Sequence, residues 1–305
     1  MEVGVTAIIL MITLLVIPVL IYIFGEKPNS VQKSVMTSTG IVYCIVAAFC
    51  FIVSFVADNY SQVDKLWSIM PIIYAWMVAF QGSLEPRLIL VAVLISIWGI
   101  RLTLNFARRG GYSIKFWEGD EDYRWSVLRQ RPEFNAKWKW QLFNLFFISY
   151  YQMGLVLLIT FPMIKSIGGR SLGIADYIMA AISVFILVIE TIADQQQWAY
   201  QEEKHKLIKE NQPLTGIFEK GFTHTGLWSV SRHPNYAAEQ LFWVTVYLFS
   251  IIASGQWFNW SIAGAILLII LFKGSSDFSE AITEKKYPQY EEYKKNVSRF
   301  IPFIY

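Results

Sequence analysis

From residue 240 to residue 272 the chain runs 33 positions without one charged side chain. In water a run of that length would have to be buried on every face. In a bilayer, about 20 residues of helix cross the apolar core, so 33 are too many for one straight crossing and few for two. Its middle reads SGQWFNW (254–260), where a glycine, polar groups and interfacial tryptophans predict a tight turn between two helices.

Other stretches free of charge lie at 3–24, 35–57, 66–84, 88–107 (broken by Arg101), 140–164 and 171–189 (broken by Asp176). Together they predict an all-α fold, a polytopic membrane helical bundle of seven or eight transmembrane helices with a C-terminal helical hairpin and a cytosolic tail. Charged residues make up 16% of the chain, against about 25% in ordinary soluble domains, and the mean hydropathy is +0.41. A net charge of +3 is too small to favour nucleic acid, and no obligate protein partner is evident. The opening segment has no basic leader and no small-residue cleavage site, which predicts a retained first span.

Several chemistries lack their residues. Cys44 and Cys50 would stand roughly 9 Å apart along a helix, too far for a disulfide, which leaves apolar packing for both. Three scattered histidines make no metal site. GGRSLG (168–173) does not match the dinucleotide fingerprint GxGxxG.

Basic residues set the expected orientation. Segments 108–139, 195–235 and 273–305 hold 8, 5 and 6 lysines and arginines, 19 of the 26. With eight spans all three lie on one side, which predicts that this side, with both termini, faces the cytoplasm. The same parity puts Asp64, Arg101, Arg108, Glu190, Asp194, the start of the seventh span, Asp277 and Glu280 on that face.

Three constellations there can carry chemistry. Arg101, Asn105 and Arg108 recur at i, i+4 and i+7 and share one helix face, with Arg109 beside them. An arginine inside a span either snorkels to lipid phosphate or meets an anion. Glu190 and Asp194, four apart, are helix neighbours. They either pair with Arg101 or Arg232, or accept hydrogen bonds from a polar ligand. The stretch LWSVSRHPNYAAEQLFW (227–243) crowds Arg232, His233, Asn235, Tyr236 and Glu239 around Pro234, which suits a first helical turn. Free N–H groups at that helix start favour an anion, with Asn235 and Glu239 one turn apart. The C-terminal stretch from Glu280 is basic and amphipathic, predicting a membrane-surface helix, with Arg299 able to fold back under the bundle.

LWSVSRHPNYAAE, ETIADQQQW, WGIRLTLNFARRGG, DKLWS and YPQYEEYKKNVSRFIPF, in that order, resemble the DUF1295 membrane proteins of the steroid 5α-reductase superfamily. The resemblance divides the chain into N-terminal transmembrane helices at 1–60 and a catalytic bundle at 61–305. It implies NADPH bound without a Rossmann fold, and reduction of a lipophilic α,β-unsaturated ketone. Carried over by residue, Asn235 and Glu239 would orient the nicotinamide; Tyr236 and His233 lie beside them in the sequence, and His233 is a residue that the 5α-reductases lack. Asp194 would meet the adenosine ribose, with Glu190 where those reductases have Asn, and Arg108 or Arg109, with Arg299, would meet the phosphates; charge and helix face add Arg101, with Asn105 beside it, and Arg232 to the phosphate set.

The Gln–Glu pair that holds the substrate carbonyl in those reductases has no counterpart here. Asp64 and Tyr74 are the nearest candidates for catalytic donors, with Glu239. The partners implied are a lipophilic small molecule and membrane lipids, in a bacterial inner membrane or endoplasmic reticulum. The RHPxY–E pattern also resembles isoprenylcysteine and phospholipid methyltransferases, for which the cofactor would be S-adenosylmethionine.

Overall fold

A computed structural model describes residues 3–302. Seven helices among them are long and apolar enough to cross a membrane: Ser30–Ala57, Gln62–Gln81, Pro86–Ala107, Lys137–Ser166, Ile174–Lys209, Pro234–Ser254 and Trp260–Lys286. They follow α1 (Val3–Phe24), a further apolar helix. Among the described residues there is no strand, only an isolated bridge between Ser231 and Ser298. This is the expected polytopic helical bundle.

The chain forms two compact units, each discontinuous in sequence: Met1–Ala180 with Thr245–Leu268, and Ala181–Val244 with Ile269–Tyr305.

In the first unit α2 (Ser30–Ala57) starts on a capping box. Asn29 Oδ1 accepts from Gln32 N at 2.9 Å, and Gln32 Oε1 accepts from Asn29 N at 3.1 Å. One face of α2 exposes Ile41, Ile45, Ile52 and Val56, while the other buries Thr39, Ala47, Cys50 and Ser54. Large aliphatic groups outside with small and polar groups inside is a pattern that water would penalise and lipid accepts. Cys50 packs inward as expected; Cys44 is exposed, because six residues turn the helix well away from that face.

The span Gln62–Gln81 is a broken helix, α3 (Gln62–Trp67) followed by α4 (Met70–Gln81). Pro71 has no N–H to return to the Trp67 carbonyl, so the ladder parts there. Gly99, in α5 (Pro86–Ala107), lets the break press close. A Cβ on it would stand 2.5 Å from the Ser68 carbonyl oxygen and 2.7 Å from Ile72. A loop element, α6 (Tyr123–Arg129), precedes the span Lys137–Ser166.

That span, the most buried of the seven, is built from α7 (Lys137–Phe143), a π-helical stretch Asn144–Tyr151, α8 (Gln152–Leu158) and α9 (Phe161–Ser166). A π turn brings i and i+5 together, and Ser149 Oγ reaches Asn144 Oδ1 at 3.4 Å. Asn144 Nδ2 also donates to Ser54 Oγ at 3.0 Å, pinning the span to α2.

Arg87 and Asp176 form a buried bidentate pair at 2.7 and 2.9 Å. The Arg87 guanidinium also donates to the carbonyls of Arg170 and Ser171. Asp176 interrupts an apolar run in sequence because it closes this contact.

α10 (Ile174–Lys209) passes from the first unit into the second, continuing 20 residues beyond the expected end of its span at 189. The residues after Asp194 are Gln, Ala, Glu and Lys in the main, good helix formers with no glycine or proline among them. It stops where Asn211 turns left-handed (φ 53°) and Gln212 N donates to the Leu207 carbonyl at 2.8 Å. α11 (Pro234–Ser254) and α12 (Ala263–Lys286) are the arms of the hairpin expected around 254–260.

The C-terminal stretch departs from its expectation. Pro288 ends the first helix, α13 (Tyr290–Asn296) has only seven residues, and Tyr290 and Tyr293 are buried against Phe222. The apolar face expected to lie on a membrane packs on protein in the second unit.

Candidate functional site

Sequence-predicted residues converge in the second unit, on four segments. α10 presents Glu190 and Asp194 on one face, both buried. The loop after residue 223 clamps that turn of α10. Trp228 Nε1 donates to the Ala193 carbonyl at 3.1 Å, and Leu227 N to Gln196 Oε1 at 2.9 Å. Gly226 permits the approach, with φ 62° and room for no Cβ against the Gln196 side chain.

α11 begins at Pro234. The His233 carbonyl accepts from Ala237 N at 2.9 Å, so the first helical turn starts where proline is tolerated. Asn235 on that turn donates through Nδ2 to Asp194 Oδ1 at 3.0 Å. Glu239, one turn on and buried, accepts from Trp243 Nε1 at 3.1 Å. Residues 41 positions apart in sequence thus form an amide–carboxylate pair, flanked by one more carboxylate along each helix.

A second cluster surrounds Glu280 on α12, which is 2% exposed. Glu280 Oε1 accepts from Arg232 Nε at 2.8 Å and lies 2.9 Å from His233 Nε2. Arg232 Nη2 reaches Oε2 at 3.5 Å, and Arg232 Nη1 donates to the carbonyls of Lys294 and Val297. The tail lies alongside: Arg232 N donates to the Ser298 carbonyl at 2.9 Å and His233 N to that of Arg299 at 3.0 Å. Tyr293 OH donates to the Trp228 carbonyl, so the tail is tied to the same loop that clamps α10. Burial raises the phenol pKa of Tyr290 and Tyr293, keeping both protonated as donors. Arg299 meets Asp277 at 2.5 Å and Glu280 at 3.8 Å. The His233 ring stacks on Tyr236, and Tyr236 packs edge-on to Phe272.

Arg232 therefore has a different partner from those the sequence suggested. It meets Glu280 rather than Glu190 or Asp194, and all three guanidinium nitrogens have protein partners. The reason is long-range: Glu280 and the 294–299 backbone reach it only through folding back of the tail. Glu280 is the residue that sequence reasoning left without a role. The only signal was its place on the same expected face as Arg232.

The remaining predicted residues belong to the first unit. Asp64, half-buried on α3, accepts from Trp125 Nε1 at 2.8 Å. Tyr74 is fully buried and its hydroxyl has no hydrogen-bond partner among the described residues. Arg108, which caps α5, donates through Nε to Asn105 Oδ1 at 2.8 Å; Arg101 on α5 is half-buried, and Arg109 beyond its end is exposed. Within the face expected for Arg101, Asn105 and Arg108, the last two are in direct contact. Among the described residues no group of histidine, cysteine and carboxylate side chains is placed to hold a metal ion.

The profile of a family described as a protein of unknown function, DUF1295, matches residues 50–297. A curated relative, Uncharacterized protein C594.04c of Schizosaccharomyces pombe, is 38% identical over 263 residues, covering 82% of this chain and 74% of its own length. No solved structure matches the chain.

Proposed function

The chain belongs to the DUF1295 family, and from that premise we propose that it is an NADPH-dependent membrane reductase of a lipophilic α,β-unsaturated ketone. The observation that supports this best is the Asn235–Asp194 pair, with Glu239 and Glu190 one turn to either side. A side-chain amide suits a carboxamide, and buried carboxylates accept from ribose hydroxyls, so the donor set fits the nicotinamide riboside half of the cofactor.

When bound, NADPH supplies a hydride. The chain's own residues do the rest. Asn235 and Glu239 orient the nicotinamide amide, and Asp194 and Glu190 hold the sugar. The Arg232–Glu280–His233 cluster keeps the first turn of α11 in place without touching the ligand. The resemblance assigns phosphate contacts to Arg108 or Arg109 and to Arg299. As hydride reaches the β-carbon, negative charge develops on the ketone oxygen, where a hydrogen-bond donor lowers the barrier. The apolar spans keep water from the reacting carbon. The excess of basic residues on one set of loops puts the nucleotide side toward the cytoplasm.

One observation favours a second reading. Arg232 is held by Glu280 and by the Lys294 and Val297 carbonyls. S-adenosylmethionine carries no phosphate, and a methyltransferase would bind it without that arginine. Thermal unfolding of the purified protein with either cofactor separates the two. The reductase reading expects stabilisation by NADPH that Asn235→Ala and Asp194→Asn weaken. Stabilisation by S-adenosylmethionine alone would reject it.

A further inference from the structure

In the first unit the loop between α5 and α6 ends in a bulky apolar tip. Ile114 is fully exposed, and Phe116 and Trp117 are 49% and 43% exposed. None of the three belongs to the site described above, and their role is independent of the reductase reading.

The loop is tied from behind through its backbone. Asn59 Nδ2 donates to the Gly119 carbonyl at 2.9 Å, and Gln62 Nε2 to that of Trp117 at 3.2 Å. Lys65 Nζ donates to the Phe116 and Glu118 carbonyls at 2.7 and 2.5 Å. Four successive carbonyls, from Phe116 to Gly119, thus each have a donor on α3 or just before it. Lys65 is buried, so its ammonium is committed to this contact. In return, Tyr112 OH donates to the Lys65 carbonyl at 2.6 Å. The neck closes where Asp120 N donates to the Gly110 carbonyl at 2.9 Å. Gly119 (φ 113°) permits the closure, since a Cβ there would stand 2.7 Å from the Gly111 carbonyl oxygen. Backbone carbonyls turned to protein donors, with apolar side chains turned out, is what an apolar surrounding requires, because no water is there to bond the carbonyls.

α2 identifies that surrounding. The Phe116 ring stacks on Phe49 with centroids 5.6 Å apart and an interplanar angle of 20°. Phe49 stands in the exposed row of α2, one turn from Ile45 and from Ile52, on the face that lipid accepts. It lies eight residues before Ala57, roughly 12 Å of helix. The loop therefore leaves the end of α5 and turns back along α2 by about that distance, within one leaflet of a core about 30 Å thick. Tryptophan is enriched at that boundary between acyl chains and head groups. Lys115 and Glu118, the only charged side chains from 112 to 118, pair with each other at 3.2 Å, so the loop brings no net charge to it.

We propose that residues 112–119 form an interfacial anchor. Ile114, Phe116 and Trp117 sit among phospholipid acyl chains beneath the head groups of the leaflet where α2 and α5 end. The occupant is the bilayer itself, and a zwitterionic phospholipid suffices.

The test uses the full-length protein with Cys44→Ser and Ile114→Cys, labelled with bimane at position 114 and reconstituted into phosphatidylcholine vesicles. Phosphatidylcholine brominated near the head of its acyl chains should quench the label. Iodide on both sides of the membrane should quench it at least about tenfold less than the free dye, because an ion does not enter the acyl region. Iodide quenching near that of the free dye overturns the proposal. Protection from both quenchers also overturns it, and assigns the loop to a second copy of the chain. Lys65→Met strands the Phe116 and Glu118 carbonyls, so the loop should leave the acyl region and iodide quenching should rise toward that of the free dye. Unchanged protection in that variant overturns the part given to the backbone ties. Thermal unfolding in detergent identifies variants that retain the wild-type fold; Gln62→Met, which strands the Trp117 carbonyl, replaces Lys65→Met if the latter does not.

Discussion

Glu280→Gln keeps the volume and shape of the side chain but removes its charge. In the folded protein Glu280 is 2% exposed and Arg232 8%, so neither can be rescued by water without local opening. Arg232 keeps the Lys294 and Val297 carbonyls but loses its counter-charge, and a neutral amide cannot accept from both Arg232 Nε and His233 Nε2 through one oxygen as well. Breaking a buried ion pair by removing one partner costs about 3–5 kcal/mol. The load falls on the segments that Glu280 joins, namely the 231–233 backbone and the tail at 294–299. An opening free energy lowered by about 3–5 kcal/mol raises the open population by roughly 10² to 10³·⁵. Trypsin cleavage after Lys294 and Lys295, followed in detergent under conditions where opening is fast, should accelerate by that factor. Glu291→Gln, which removes an exposed i,i+4 pair with Lys295, should leave the rate unchanged. Arg232→Met combined with Glu280→Leu should be milder than Glu280→Gln alone, because no buried charge is stranded. If Glu280→Gln is cleaved at the wild-type rate, the carboxylate is not what ties the tail down, and the account of the cluster is wrong.

Three further outcomes follow from the first unit. Asp176→Asn strands the Arg87 guanidinium, which is 3% exposed, and should destabilise by about 3–5 kcal/mol, read as a lower unfolding temperature in detergent. Gly99→Ala places a methyl within 2.5 Å of the Ser68 carbonyl and should cost about 1–3 kcal/mol by the same measurement; an unchanged midpoint would show that α4 and α5 separate freely. For Asp122, burial opposes the charge but the paired Arg124 guanidinium at 2.8 Å outweighs it, holding the carboxyl below its usual range. Its contribution is therefore full above about pH 4, the unfolded value, and is lost as the pH falls through the lower folded one. Acid unfolding in detergent, followed by circular dichroism, should show that loss, and Asp122→Asn should remove Asp122's share of it.

The spans were legible because a bilayer imposes a length and a polarity on every crossing, and both are written locally. The hairpin was readable from seven residues, 254–260, since glycine, polar groups and tryptophan each have a separate reason to sit at an interface. The face shared by Asn105 and Arg108 followed from helical spacing alone. Asn235 and Glu239 were singled out for the same reason, as was the Glu190–Asp194 face.

Partners across the chain were another matter. Nothing in the order of residues said that Arg232 would meet Glu280, 48 positions on, rather than Glu190 or Asp194. A guanidinium finds whichever carboxylate the packing delivers, and the tail's return depended on Phe222, Tyr290 and Tyr293 burying one another. The same stretch read as amphipathic, and amphipathicity says that a face will be covered without saying by what. Local physics thus determined the helices, their ends and their polar faces; only tertiary packing decided which buried charges neutralise each other, because that depends on distances no short stretch of sequence contains.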